Sequence, residues 1–187
     1  MASTISAGTT SGTALNFTGD TSGNLQFQTQ AGANTITVPN VTGTLLTDKY
    51  AGTVLQVVNA TTSSSASTSS TSFVSTPVTA SITPKFSTSK IYAIASFESY
   101  AASGGVKTYT TIFRNGATNL GGTSGIMGLL WGQSYSQSTT TIQVLDSPAT
   151  TSSTSYTVYL ATSSGGNSVY LNNDNLFATI TLMEIAG

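Results

Sequence analysis

The sequence predicts an all-β fold: a short N-terminal β-rich shaft or clamp over residues 1–50, followed by a β-sandwich of the jelly-roll kind over residues 51–187. Three observations lead there. Apolar residues recur in short alternating runs with the period of a half-buried strand, and Gly, Asn and Asp punctuate them. No window carries apolar residues at i, i+3 and i+4 between helix caps, and the density of Thr, Val, Ile and Tyr favours sheet over helix. The length, 187 residues, suits one main core plus a small appendage rather than two full-sized domains.

In residues 1–50 the alternating pieces are Leu15 with Phe17, Leu25 with Phe27, and Ile36 with Val38, set apart by Gly19-Asp20-Thr21-Ser22-Gly23 and Gly32-Ala33-Asn34. These apolar side chains are the candidate trimer or core contacts. They are too few to keep such a segment folded in water by themselves. Their cover is either the C-terminal domain or the same segment of neighbouring chains. Regular short strands between Gly/Asn/Asp turns suit the second arrangement, a shaft in which three chains complete one another's core. Asp48-Lys49-Tyr50-Ala51-Gly52-Thr53 concentrates charge and glycine and marks the junction near 51.

Beyond the junction, strands are expected at Val54–Asn59, Phe73–Thr76, Val78–Ile82, Lys90–Tyr100, Lys107–Arg114, Leu129–Gln133, Thr141–Leu145, Ser155–Ala161, Ser168–Leu171 and Leu176–Ile185. Arg114-Asn115-Gly116 is the strongest turn signal, since an Asn-Gly pair tolerates the positive φ angles of a tight hairpin turn. Gly104-Gly105, Gly121-Gly122 and Gly165-Gly166-Asn167 act similarly. The Ser/Thr-rich run 61–72 reads as strand edges and a loop rather than a disordered linker, because hydroxyl side chains pair across strands and are the default outward residues in a chain short of charge. Many short strands with frequent turns point to paired sheets. Edges this poor in lysine need closure or burial in an oligomer.

Charged residues are 6% of the chain and apolar residues 38%, against roughly 25% charged in ordinary globular proteins. A net charge of -1 with recurrent Leu, Ile, Val, Phe and Tyr predicts a folded chain. Five scattered basic residues give no footprint for phosphate, so no nucleic-acid partner is expected. The longest apolar stretch, Gly125–Gly132, is far shorter than a membrane-spanning helix, so no membrane insertion is expected. Cysteine is absent, so burial or oligomerisation must supply stability. Met1–Gly8 has neither a basic start nor an apolar stretch and is not read as a secretory signal.

Histidine is absent, which removes Ser-His-Asp catalysis and the commonest metal ligand. A glycosidase needs two carboxylates about 5–10 Å apart, which directs attention to Glu98, Asp146, Asp174 and Glu184. With six acidic residues scattered along the chain, no enzyme is expected, and no cofactor or metal. Asn172-Asn173-Asp174-Asn175 carries oxygen ligands of the kind calcium accepts, yet reads first as a polar turn. Trp131 and Tyr135 are candidates for a glycan-stacking platform, against a reading as core or trimer interface. Sequons at Asn16, Asn40 and Asn59 arise readily in a Thr-rich chain.

Val54-Leu55-Gln56-Val57-Val58 before a Ser/Thr-rich stretch, Ser81-Ile82-Thr83-Pro84 and Ser87-Thr88-Ser89-Lys90-Ile91 resemble the opening of a C-terminal domain of phage virion proteins. Asp146–Ser152, Tyr156-Thr157-Val158, Val169–Asn172 and Ile180–Ala186 resemble its last strands. Residues 8–47, especially Gly19–Phe27 and Val41–Leu46, are similar to a segment that precedes this domain in tail-fibre-like proteins of aquatic bacteriophages. The resemblance rests on the order of several weak motifs along nearly the whole chain.

The resemblance implies a homotrimeric jelly roll of the kind shared by complement globular heads and tumour-necrosis-factor-like proteins, on the exterior of the virion. The expected function is that of a structural fibre or knob of the tail apparatus involved in host attachment. The alternative is a capsid decoration protein, a cement or head fibre that stabilises the shell. No sizeable anchoring domain precedes residue 8, which keeps the two readings close. Expected partners are two further copies of the chain, other virion proteins through residues 1–50, and a host-surface glycan or protein at outer loops 101–106 and 117–128.

Overall fold

The computed structural model of the chain describes Leu25–Gln28, Thr35–Val38 and residues 51–187 apart from Trp131 and Asn175. Two compact units result, Met1–Thr47 and Asp48–Gly187. In the first, β1 (Leu25–Gln28) and β2 (Thr35–Val38) pair antiparallel, with Leu25 opposite Val38 and Phe27 opposite Ile36. The apolar pieces expected there thus form a hairpin. Leu15 and Phe17 lie outside the described residues.

The second unit contains β3 (Val54–Thr62), β4 (Ala66–Thr68), β5 (Val74–Ile82), β6 (Lys90–Ala101), β7 (Lys107–Arg114), β8 (Thr118–Asn119), β9 (Met127–Leu130), β10 (Ser136–Asp146), β11 (Thr154–Thr162), β12 (Val169–Leu171) and β13 (Ala178–Ile185). Among the described residues there is no helix. One sheet runs β3-β13-β6-β12-β4, with β10 on the other side of β6; the second runs β5-β11-β7-β8, with β9 also on β7. Every pairing is antiparallel. Because β12 and β13 occupy successive stretches of the same flank of β6, they act as one interrupted strand, and β3 and β4 do the same beside them. The chain crosses repeatedly between the two sheets, β3–β4 to β5, to β6, to β7–β9, to β10, to β11 and to β12–β13, which makes a β-sandwich.

Alternation along the strands builds the core. Ile91, Ala93, Ala95 and Phe97 of β6, Ile180 and Leu182 of β13 and Ile142 of β10 face Val78 and Ile82 of β5, Ile112 of β7 and Tyr156, Val158 and Leu160 of β11. At one end the sheets are also joined by polar groups. Arg114 of β7 binds Asp146 of β10, and the buried Tyr156 hydroxyl of β11 donates to the same carboxylate at 2.8 Å. Burial, and then this bond to an anion, push the Tyr156 phenol well above its ordinary value.

Several strand limits differ from expectation, each for a local reason. Pro77 does not split β5: this edge strand pairs with β11 alone, and the proline falls where the register shifts between Thr157 and Tyr159. Strand β10 begins at Ser136, five residues before the first expected position, because Ser136–Thr140 has no apolar residue to announce it yet pairs with Phe97–Ala101. Strand β9 is Met127–Leu130 rather than Leu129–Gln133. Asn115 and Gly116 do take positive φ, 51° and 67°. The hairpin they form is short, and Asn115 also accepts from Ser155 N at 2.9 Å, docking the turn on β11.

Candidate functional site

Strand β6 points Ile91, Ala93, Ala95 and Phe97 inward, while its outward side is mixed, with Tyr92, Ile94 and Tyr100 beside Lys90, Ser96 and Glu98. The apolar members of that side are concentrated near the start of the strand, at Tyr92 and Ile94. Register aligns the outward residues into rows. Val57 lies opposite Met183, Met183 opposite Tyr92, and Tyr92 opposite Leu145. This apolar row crosses β3, β13, β6 and β10, and its ends are open, Val57 57% and Leu145 54% exposed.

The next rows turn polar. Asn59, Thr181, Ile94 and Gln143 follow, then Thr61, Thr179, Ser96 and Thr141. Side chains bond along these rows and between them: Asn59 Nδ2 to Thr181 Oγ1 at 2.8 Å, Ser96 Oγ with Thr141 Oγ1 at 2.9 Å, and Tyr92 OH to Gln143 Oε1 at 2.5 Å. The outer face of the second sheet is different, because Phe73, Phe113 and Tyr159 pack on one another there, the last two rings stacked 4.1 Å apart.

Toward the far end of β6 the outward residue is Tyr100, in edge contact with Tyr170 of β12 at 5.3 Å. Tyr135, on a positive φ of 58°, presents its ring to solvent and is 77% exposed. Partial burial raises the Tyr100 phenol above its ordinary value, and Tyr135, Tyr170, Asp174 and Glu98 stand close enough to oppose its ionisation further. Tyr135 thus stands at the same end of the sheet as the Tyr100–Tyr170 pair. Trp131, the expected partner of Tyr135, lies outside the described residues. Loop 101–106 belongs to this end, where Gly104 N donates to Ser134 Oγ at 3.1 Å. Residues 117–128 are not a free outer loop: Leu120 N bonds Ile112 O, Ile126 N bonds Thr110 O, and Asn119 accepts from Thr111, so the segment folds along β7.

The four carboxylates divide by role. Asp146 is engaged by Arg114 and Tyr156. Glu184, fully buried, accepts from Gln56 Nε2 at 2.5 Å and Lys85 N at 2.7 Å. Burial pushes its carboxyl up, but these donors outweigh burial and hold it below the ordinary value, with the Ser89 hydroxyl beside it outside hydrogen-bonding geometry. Glu98 and Asp174 are brought near one another where the β12–β13 strand is interrupted. Asn172 N donates to Glu98 O at 2.9 Å, continuing the ladder, and the chain then loops out until Ala178. Asn173 N donates to Glu98 Oε2 at 2.7 Å. Burial raises the Glu98 carboxyl, the bond from Asn173 opposes that, and Asp174 adds to it.

The apolar row and the setting of Glu98 were both missed by strand-by-strand reading, since each joins residues far apart in sequence. The one local sign was the apolar run Ile91–Ile94, which puts Tyr92 and Ile94 on the side away from the core. Among the described residues no group of three or more His, Cys, Asp and Glu comes together, and no helix is long and apolar enough to cross a membrane.

No family model and no curated protein matches the chain. Among solved structures it is similar to a mutant VP2 protein of infectious bursal disease virus from derived T=1 particles, at 13% identity and a TM-score of 0.38. The match covers 84% of this chain and 44% of that one, so the chain spans less than half of the matched protein's length. A score of that size bears on neither fold nor function; the two antiparallel sheets of the β-sandwich rest on strand pairing alone.

Proposed function

We propose that the protein is a structural protein of a bacteriophage virion, a homotrimeric exterior fibre or knob of the tail apparatus that contributes to host attachment. The observation that carries this reading is the position of β3 and β13. These strands contain the first and last segments that resemble phage virion domains, and they lie side by side in the sheet with the open apolar row.

An exposed apolar row on a stable sheet calls for a partner. With charged residues at 6% of the chain, the face offers little ionic recognition of a foreign partner, and closed association of identical copies is the ordinary solution for such a surface. Residues 1–50 contact other virion proteins or pair with their own copies in a shaft. Host contact falls to the end that bears Tyr135 and loop 101–106, where weak contacts to a surface glycan or protein gain strength from linked copies.

Immunogold electron microscopy of intact particles, with antibody to residues 54–187, tests the assignment. Label at the tail supports host attachment. Label spread over the head replaces it with the decoration reading, and unlabelled particles overturn the virion reading altogether.

A further inference from the structure

The loop that interrupts β12 and β13 leaves two buried oxygens without partners. Glu98 is 6% exposed and Asn172 0%. Glu98 Oε1 and Asn172 Oδ1 accept no hydrogen bond. Leaving such acceptors dry is costly, so each calls for an explanation. Their other polar atoms are fixed: Asn173 N holds Glu98 Oε2, while Asn172 Nδ2 donates to Leu176 O and, at 3.4 Å, to Thr62 O.

The two residues are cross-strand neighbours. Tyr170 lies opposite Tyr100 and Leu171 opposite Ser99, and the bond from Asn172 N to Glu98 O extends that ladder by one residue. Asn172 then turns with a positive φ of 63°, which sets Asn173 N against the Glu98 carboxylate. Asp174 is solvent-exposed and near enough to Glu98 for their charges to oppose one another. An unpartnered carboxylate oxygen and an unpartnered amide oxygen thus lie on neighbouring residues of the two strands. The Asp174 carboxylate, which accepts from Asn173 Nδ2 at 3.3 Å, follows two residues on in the same turn, with no cationic side chain among their hydrogen-bond partners.

We propose that this loop is a binding site for a hard divalent cation, calcium by preference, held by Glu98 Oε1, Asn172 Oδ1 and the Asp174 carboxylate. An all-oxygen donor set that mixes carboxylate with amide suits calcium, which accepts irregular geometry, whereas magnesium demands a near-ideal octahedron and gives up its water reluctantly. With only two carboxylates the affinity is modest, on the order of 10⁻⁴–10⁻³ M. The inference stands apart from the virion reading, since it needs only the folded chain.

The rival explanation is a proton on Glu98 shared with Asn172, which would join the same two oxygens without a metal. Thermal unfolding of the full chain separates the two. Calcium at about 10 mM is expected to raise the midpoint by a few degrees, with magnesium less effective. Asp174→Asn, at an exposed position, and Glu98→Gln, whose amide can donate to Asn172 Oδ1, are expected to abolish that response. Terbium provides a readout that needs no variant: its luminescence, sensitised by Tyr100 and Tyr170, is expected to appear on binding and to be displaced by calcium. No midpoint shift and no calcium-displaceable terbium signal would overturn the site, as would an undiminished calcium response in Asp174→Asn.

Discussion

Arg114 Nη1 reaches both carboxylate oxygens of Asp146 at 2.9 Å, and in doing so ties the two sheets together at one end of the sandwich. Among the described residues it is the one salt bridge. Asp146 also receives the buried Tyr156 hydroxyl, so a single carboxylate satisfies a cation and a phenol that otherwise face the core.

Removing that carboxylate strands both donors. Asp146→Ala is expected to destabilise the unit by about 2–4 kcal/mol, the range for breaking a mostly buried pair. A double-mutant cycle with Arg114→Met measured by urea unfolding should show positive coupling; additive losses would mean that the pair contributes no more than its separate packing.

Glu184 sets the acid limit. Its folded-state value lies below the ordinary 4.5, so the carboxylate contributes stability that is present above 4.5 and is lost as pH falls through the lower folded value. Wild type should therefore lose stability in that window more steeply than Glu184→Gln, as read from denaturation midpoints across an acid series. Parallel profiles would refute the assignment.

The proposed trimer closes over the apolar row. Leu145→Glu or Val57→Glu places charge on the outer face without touching the core, so each variant should fold yet sediment as a smaller species than wild type, with self-association weakened by tenfold or more. Wild type that sediments as a monomer at every concentration would count against the trimer.

Gly125 has a φ of +85°, and an added Cβ would sit 2.5 Å from Thr110 O. Gly125→Ala is expected to cost about 2 kcal/mol or more through strain and displacement of β9 from β7. The loss should appear as a lowered melting temperature. An unchanged one would show that the β8–β9 bend opens freely.

A fragment of residues 51–187 is expected to unfold in one cooperative transition, because the core residues named above all lie within it. Circular dichroism with thermal melting decides this, and a fragment without a transition would make residues 1–50 part of the fold.

Much of the sandwich was legible because inward residues alternate cleanly: Lys107–Arg114 was placed to the residue, and the Ser/Thr run 61–72 resolved into the end of β3, the short β4 and a loop. Polar strands were not, as Ser136–Thr140 shows, since hydroxyl rows carry no hydrophobic period and form because a partner strand is there to meet them. The face and the Glu98 loop were illegible for a different reason. Strand register is a long-range property, and nothing local to Val57 announces Met183, Tyr92 or Leu145.

The hydroxyl rows beside the apolar one have a further consequence. Salt screens interactions between charges, over about 8–10 Å at physiological strength, and the outward rows Asn59–Gln143 and Thr61–Thr141 contain no charge to screen. In the proposed trimer these rows would contribute shape and hydrogen bonding rather than ion pairs, so lowering the salt should not strengthen the association.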